Sequence, residues 1–317
     1  RYVITGSDGV RRDKSDPYSF WYERRPANAS IVYPLDSYTW NDGEYQNQRD
    51  NTKVLEKPMA IYEVHLGSWK KGYQGDWDED GFLNYTQLAD DLVQYMQYMG
   101  YTHIELMGIC EHPFDLSWGY QVTGHYAPTS RYGTPDDFRY FVDKMHQAGI
   151  GVILDWVPAH FPKDGFAMSW FDGTPLYESC DPLRREFPVW GTLSFDHTKP
   201  EDRSFLIANA IYWIREFHID ALRVDAVASM LYNDYDRNEW RPNMFGGRMN
   251  LEGMYFMRQL NTEVCGRTSG YLIAEDSSAE WGITEDVRNG GLGFTFKWNM
   301  GWMNDTLRYF KLDPVYR

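Results

Sequence analysis

The sequence predicts an α/β protein built as a (β/α)8 (TIM) barrel that stops after its sixth βα unit, and three observations carry that expectation. Short apolar runs alternate with segments of helical period from residue 59 onward. The runs are apolar on both faces, which requires a parallel sheet covered by helices. Three of them deliver a carboxylate at the C-terminal end, where barrel enzymes collect their catalytic groups. A doubly wound sheet also alternates in this way, but no Gly-rich phosphate loop and no internal repeat favours it.

Residues 1–57 are rich in Asp, Asn, Pro and Tyr, with turn signals at Gly6 to Gly9, Pro26 to Asn28 and Asn41 to Gly43. They read as the tail of an upstream β module plus a linker, with residues 58–317 forming the barrel. The strand candidates are AIYEVHL from Ala60, THIELM from Thr102, GIGVILDWV from Gly149, IDALRVDAV from Ile219, GYLIAE from Gly270 and LGFTFKW from Leu292. The clearest helix runs from Thr134 to Gly149. Thr134 is its N-cap, Pro135 takes the first turn, Asp137 gives a capping-box spacing and Gly149 stops it. A second begins at Pro200 and places Leu206, Ile207, Ala210, Ile211, Ile214 and Phe217 at helical spacing. A helix-like segment from Asn299 to Phe310 follows the last strand.

A chain of 317 residues with 43% hydrophobic content can build a real core. Forty-six acids against 31 bases give a net charge of −15, which disfavours nucleic acid and acidic membrane surfaces. The three cysteines, Cys110, Cys180 and Cys265, form no CxxC pair, so a reducing cytoplasm is the expected location and no disulfide framework or zinc site is indicated. No apolar run reaches the roughly 18 residues of a membrane span.

Alternation in IDALRVDAV puts Leu222, Val224 and Ala226 on one face and Ala221, Arg223 and Asp225 on the other, the barrel interior. GVILDWV brings Asp155 and YLIAEDS brings Glu275 to equivalent strand ends. Burial raises a carboxyl pKa, whereas a nearby guanidinium holds the group ionised. Arg223 beside Asp225 is therefore expected to keep an anionic nucleophile. Glycoside chemistry needs one charged and one protonated carboxyl, and Glu275, with no adjacent base, suits the second part.

DWVPAHF (155–161), DALRVDAVASM (220–230), LIAED (272–276), YEVHLGSW (62–69) and SWGYQVTGHYAP (117–128) together resemble the 1,4-α-glucan branching enzymes of the α-amylase superfamily. Residues 18–36 resemble the end of that family's N-terminal carbohydrate-binding β-sandwich. The resemblance implies Asp225 as nucleophile, Glu275 as general acid/base and Arg223 as the nucleophile's partner. Asp155, His160 and Tyr120 would line the subsite of the cleaved glucose. It implies a retaining transfer of an α-1,4-glucan segment to a 6-hydroxyl, making an α-1,6 branch in glycogen, by an enzyme that works as a monomer without a cofactor. Trp118, Trp298 and Trp302 are either glucan platforms or core.

Two departures matter. Ala159 stands where many amylases carry a calcium-binding asparagine, so no structural metal is expected there. None of the eight histidines precedes an aspartate, so the superfamily's third carboxylate, from a His-Asp pair, is missing. The expectation is a piece of a longer enzyme, with an amylase- or debranching-type hydrolase and an inactive glucan-binding fragment as alternatives.

Overall fold

The computed structural model describes residues 1–72 and 80–316. All six expected strands form: β1 (Ile61–His65), β2 (His103–Met107), β3 (Gly151–Trp156), β4 (Ala221–Val224), β5 (Tyr271–Ala274) and β6 (Phe296–Lys297). They lie in one parallel sheet in strict chain order, β1 to β6. Sequential parallel pairing with helical crossovers is the opening portion of a (β/α)8 barrel rather than a doubly wound sheet, whose order reverses. Among the described residues, β1 pairs only with β2 and β6 only with β5, so the sheet is open.

Side-chain alternation divides two cores. Val152, Leu154, Leu222, Val224, Leu272 and Ala274 face outward into the main core under the helices. Ile153, Ala221, Tyr271 and Ile273 face inward, joined by Val54, Met59, Phe296 and Trp298. The helices follow the sequence signals: α1 (Tyr85–Met99), α2 (Pro135–Gln147), α3 (Pro200–Glu216), α4 (Leu251–Arg267) and α5 (Met300–Lys311). The α2 cap is reciprocal, with Asp137 N–H donating to Thr134 Oγ1 (3.2 Å) and Thr134 N–H to Asp137 Oδ2 (2.8 Å).

α3 departs from the stripe its spacing suggested. Ile211 is only partly buried, whereas Asn209, Tyr212 and Trp213 are buried. The reason is a second neighbour: Phe20 stacks on Tyr212 (5.4 Å), so the helix is covered by the upstream segment as well as by the sheet. Asn209 resolves its burial by donating to His125 O (2.8 Å) and accepting from Trp156 Nε1 (2.7 Å).

Residues 1–57 form two small hairpins, Tyr2–Thr5 with Arg11–Lys14 and Trp21–Tyr22 with Ser30–Ile31, then the helix Gly43–Asp50. Buried polar contacts fix them to the barrel. The Lys14 ammonium donates to the carbonyls of Gly165 (2.7 Å), Ala167 (3.1 Å) and Ser169 (2.7 Å), which satisfies all three of its donors. His146, at the end of α2, sits between two carboxylates: Nδ1 is 2.8 Å from Asp42 Oδ2 and Nε2 is 3.0 Å from Asp220 Oδ2. Burial opposes the imidazolium, yet Asp220 and Asp42 together hold His146 above its ordinary pKa. Its contribution to stability is thus complete below the unfolded value and is lost as pH rises through the folded one. His146→Leu removes the bridge between the two aspartates, leaving Asp42 with His218 (2.8 Å) and Asp220 with Arg49 (3.4 Å), and is expected to cost about 1–3 kcal/mol, read as a lower urea midpoint. An unchanged midpoint would contradict a structural role for this clamp.

Candidate active site

Three strand ends bring the carboxylates together. Asp155 lies in β3, directly beside Arg223 in the β3–β4 register. Asp225 follows β4, and Glu275 follows β5. The sequence reading extended β4 through Ala226; instead the strand stops at Val224 and Ala226 turns into the left-handed region (φ 51°), opening the short helix Val227–Leu231. That conformation costs a non-glycine residue about 1–2 kcal/mol. It points the Ala226 N–H at Glu275 Oε2 (2.8 Å), so the residue after the candidate nucleophile holds the candidate acid/base.

Arg223 is the hub. Its Nη1 donates to Asp225 Oδ1 (2.6 Å) and Asp155 Oδ1 (2.7 Å), and its Nη2 lies 3.8 Å from Glu275 Oε2. The Trp298 ring covers the guanidinium at 4.7 Å, so this tryptophan packs on the arginine. Trp118 and Trp302 are instead solvent-exposed. Tyr120 donates to Asp155 Oδ2 (2.6 Å). It reaches that position through a turn that needs glycine: a Cβ on Gly119 (φ 90°) would lie 2.1 Å from Gly108 Cα. His160, in the short strand His160–Phe161, brings Nε2 to 3.9 Å from Asp225 Oδ2. Burial pulls His160 down to about 4, leaving a neutral imidazole able to donate to a ligand.

Arg223 acts on Asp225 in the expected direction, favouring its ionised form, but burial acts against it. Burial pushes the Asp225 carboxyl up to about 7, against Arg223 and with the help of Asp155 and Glu275. The physical reason is stoichiometry: one guanidinium is shared by three carboxyls in a water-poor site. Burial raises Asp155 as well. The cluster therefore titrates as a unit that retains a proton near neutrality, and a site that must both attack as an anion and deliver a proton can use that arrangement.

All six residues singled out in the sequence meet at this end of the sheet. Others were missed. Glu105 of β2 is buried, its Oε1 has no hydrogen-bond partner, and burial, Asp155 and Glu63 push it up to about 8. The signal was available, since Glu105 stands between Ile104 and Leu106 in an apolar strand. Trp190 and Tyr235 also flank the cluster, with Trp190 4.9 Å from the His160 ring and 5.7 Å from Tyr235. They come from loops, where no periodicity marks them.

A parallel βα sheet with three convergent acids and one arginine at its C-terminal edge defines a catalytic domain of the α-amylase class. The family described as "Alpha amylase, catalytic domain" matches residues 75–204. A crystal structure from Salmonella typhimurium superimposes with a TM-score of 0.64 over 92% of this chain and 43% of that one, at 24% identity, and so shares the fold. The chain is 53% identical over its whole length to a 1,4-alpha-glucan branching enzyme GlgB of Corynebacterium jeikeium, covering 43% of that protein. It is 55% identical over 96% of its length to a protein of the same name from Thermobifida fusca, covering 40% of it. Over its whole length the chain is thus similar to branching enzymes and carries part of an α-amylase catalytic domain, and it spans half or less of the length of the relatives it is compared with.

Proposed function

We propose that the whole protein is a 1,4-α-glucan branching enzyme and that this chain supplies its nucleophile and acid/base. The observation that carries the reading is the Arg223-centred cluster, in which Asp225 and Glu275 stand on neighbouring strand ends linked through the Ala226 N–H. In the first step an Asp225 oxygen attacks the anomeric carbon of an α-1,4-glucan. The bond from that carbon to the leaving O4 breaks as Glu275 delivers a proton to the oxygen. In the second, Glu275 takes the proton from the 6-hydroxyl of an acceptor glucan, whose oxygen displaces Asp225 and leaves an α-1,6 branch. Asp155, His160 and Tyr120 hold the hydroxyls of the transferred glucose, and Arg223 positions and charges Asp225.

The same reading takes residues 1–57 as the end of a carbohydrate-binding β-sandwich with its linker and residues 58–317 as the catalytic barrel. It places the enzyme in the cytoplasm as a monomer acting on glycogen or amylose. No helix among the described residues is long and apolar enough to cross a membrane.

Incubation of the full-length protein with amylose tests the activity. New α-1,6 linkages are expected with little increase in reducing ends. Reducing ends without branches would identify a hydrolase instead.

A further inference from the structure

We propose a second α-glucan site outside the catalytic cluster, in the pocket where the upstream residue Tyr18 meets the 174–177 loop and the first turn of α3. Its ligand class rests on the function proposed above; its location rests on the geometry. The pocket encloses about 280 Å³ and is walled by Tyr18, Tyr177 and Phe205. The Tyr18 ring meets Phe205 edge-on at 5.1 Å, and Phe205 meets Tyr177 at 5.7 Å. Tyr18 is 52% exposed, so its ring is available at the pocket mouth.

The polar groups in this pocket are unusual for a folded interior. Asp202 is only 3% exposed, yet its Oδ2 has no hydrogen-bond partner. Native structures pair nearly all such buried atoms, and an exception calls for a role. Burial pushes its carboxyl up to about 8, so near neutrality it is an acid that both donates and accepts. The phenols of Tyr18 and Tyr177 face the same region, each feeling the charge of Asp202. None of these residues takes part in the proposed glycosyl transfer.

The chemistry selects a neutral polyol with apolar faces. Among the described residues the only cation lining the pocket, Lys199, is engaged by the carbonyls of Pro175 (2.7 Å), Leu176 (2.9 Å) and Glu178 (2.9 Å). An anionic ligand therefore finds its one candidate cation already engaged, while the Glu201 carboxylate repels it. The same three bonds pin the 174–178 loop to the start of α3, so the pocket is formed before a ligand arrives. Flat rings beside phenol hydroxyls and an unpaired carboxyl oxygen suit a pyranose, whose C–H faces stack while its hydroxyls bond at the edge.

Native electrophoresis of the full-length protein through gels containing glycogen provides the test. Tyr18→Ala and Asp202→Ala are each expected to weaken retention about three- to tenfold in apparent Kd, as loss of one ring or one hydrogen bond implies. Thermal unfolding checks the fold, and if Asp202→Ala is destabilised the exposed Tyr18 substitution decides alone. Retention unchanged from wild type in folded Tyr18→Ala overturns the site. Tyr18-dependent retention of equal strength in gels containing a soluble β-1,4-glucan overturns the α-glucan assignment. Because the readout is binding, a protein that forms no branches but loses retention in these variants refutes the branching function and leaves the site standing.

Discussion

Replacing Asp225 by asparagine is expected to lower branching activity of the full-length enzyme by roughly four to six orders of magnitude while glycogen binding persists. Asparagine keeps the shape of the side chain and can still accept from Arg223, but it cannot form the covalent ester to the anomeric carbon. Stability should move the other way. The folded carboxyl has its pKa raised to about 7 by burial, above the unfolded value near 3.9. A raised acid favours folding most below its unfolded pKa and loses that advantage as pH rises through the folded one. Relative to wild type, the asparagine variant should therefore gain stability between about pH 4 and pH 7, seen as a widening difference in Tm. Substantial residual branching, or a variant that unfolds more readily as pH rises over this range, would contradict the assignment of Asp225 as a buried nucleophile.

Much of this arrangement is legible in the sequence because it is local. Short apolar runs give the six strands, and a Thr-Pro start with a Gly stop gives α2. The catalytic candidates are legible because a carboxylate at the end of an apolar strand has few other reasons to be there. Contacts between distant segments were not legible. Trp190 and Tyr235 reach the site from loops, and Asp42 meets His146 at a sequence separation of 104. The upward pull on Asp225 was hidden for the same reason: alternation shows Arg223 and Asp225 on one face, but only the register of β3 and β5 reveals that Asp155 and Glu275 share the same guanidinium. Ala226 adds a smaller lesson, since alanine has no preference of its own for the left-handed turn it adopts beside the Glu275 contact.

That sharing makes Arg223→Lys the most informative conservative change in the site. Lysine keeps a positive charge but presents it as a point on a flexible stem, without the planar fork that lets one side chain meet Asp155, Asp225 and Glu275 together. Loss of a preorganised electrostatic partner at a reacting group typically costs about 10²- to 10³-fold in rate, and kcat/KM is expected to fall by that order. The accompanying signature is in the pH profile. Arg223 is what opposes the effect of burial on Asp225, so weakening it should move the acid limb of kcat/KM upward from its wild-type position. The activity ratio between variant and wild type should then narrow as the assay pH is raised. If Arg223 merely braced the strand ends, the variant would lose stability and rate with the acid limb unmoved, and the proposed control of nucleophile charge would have to be abandoned.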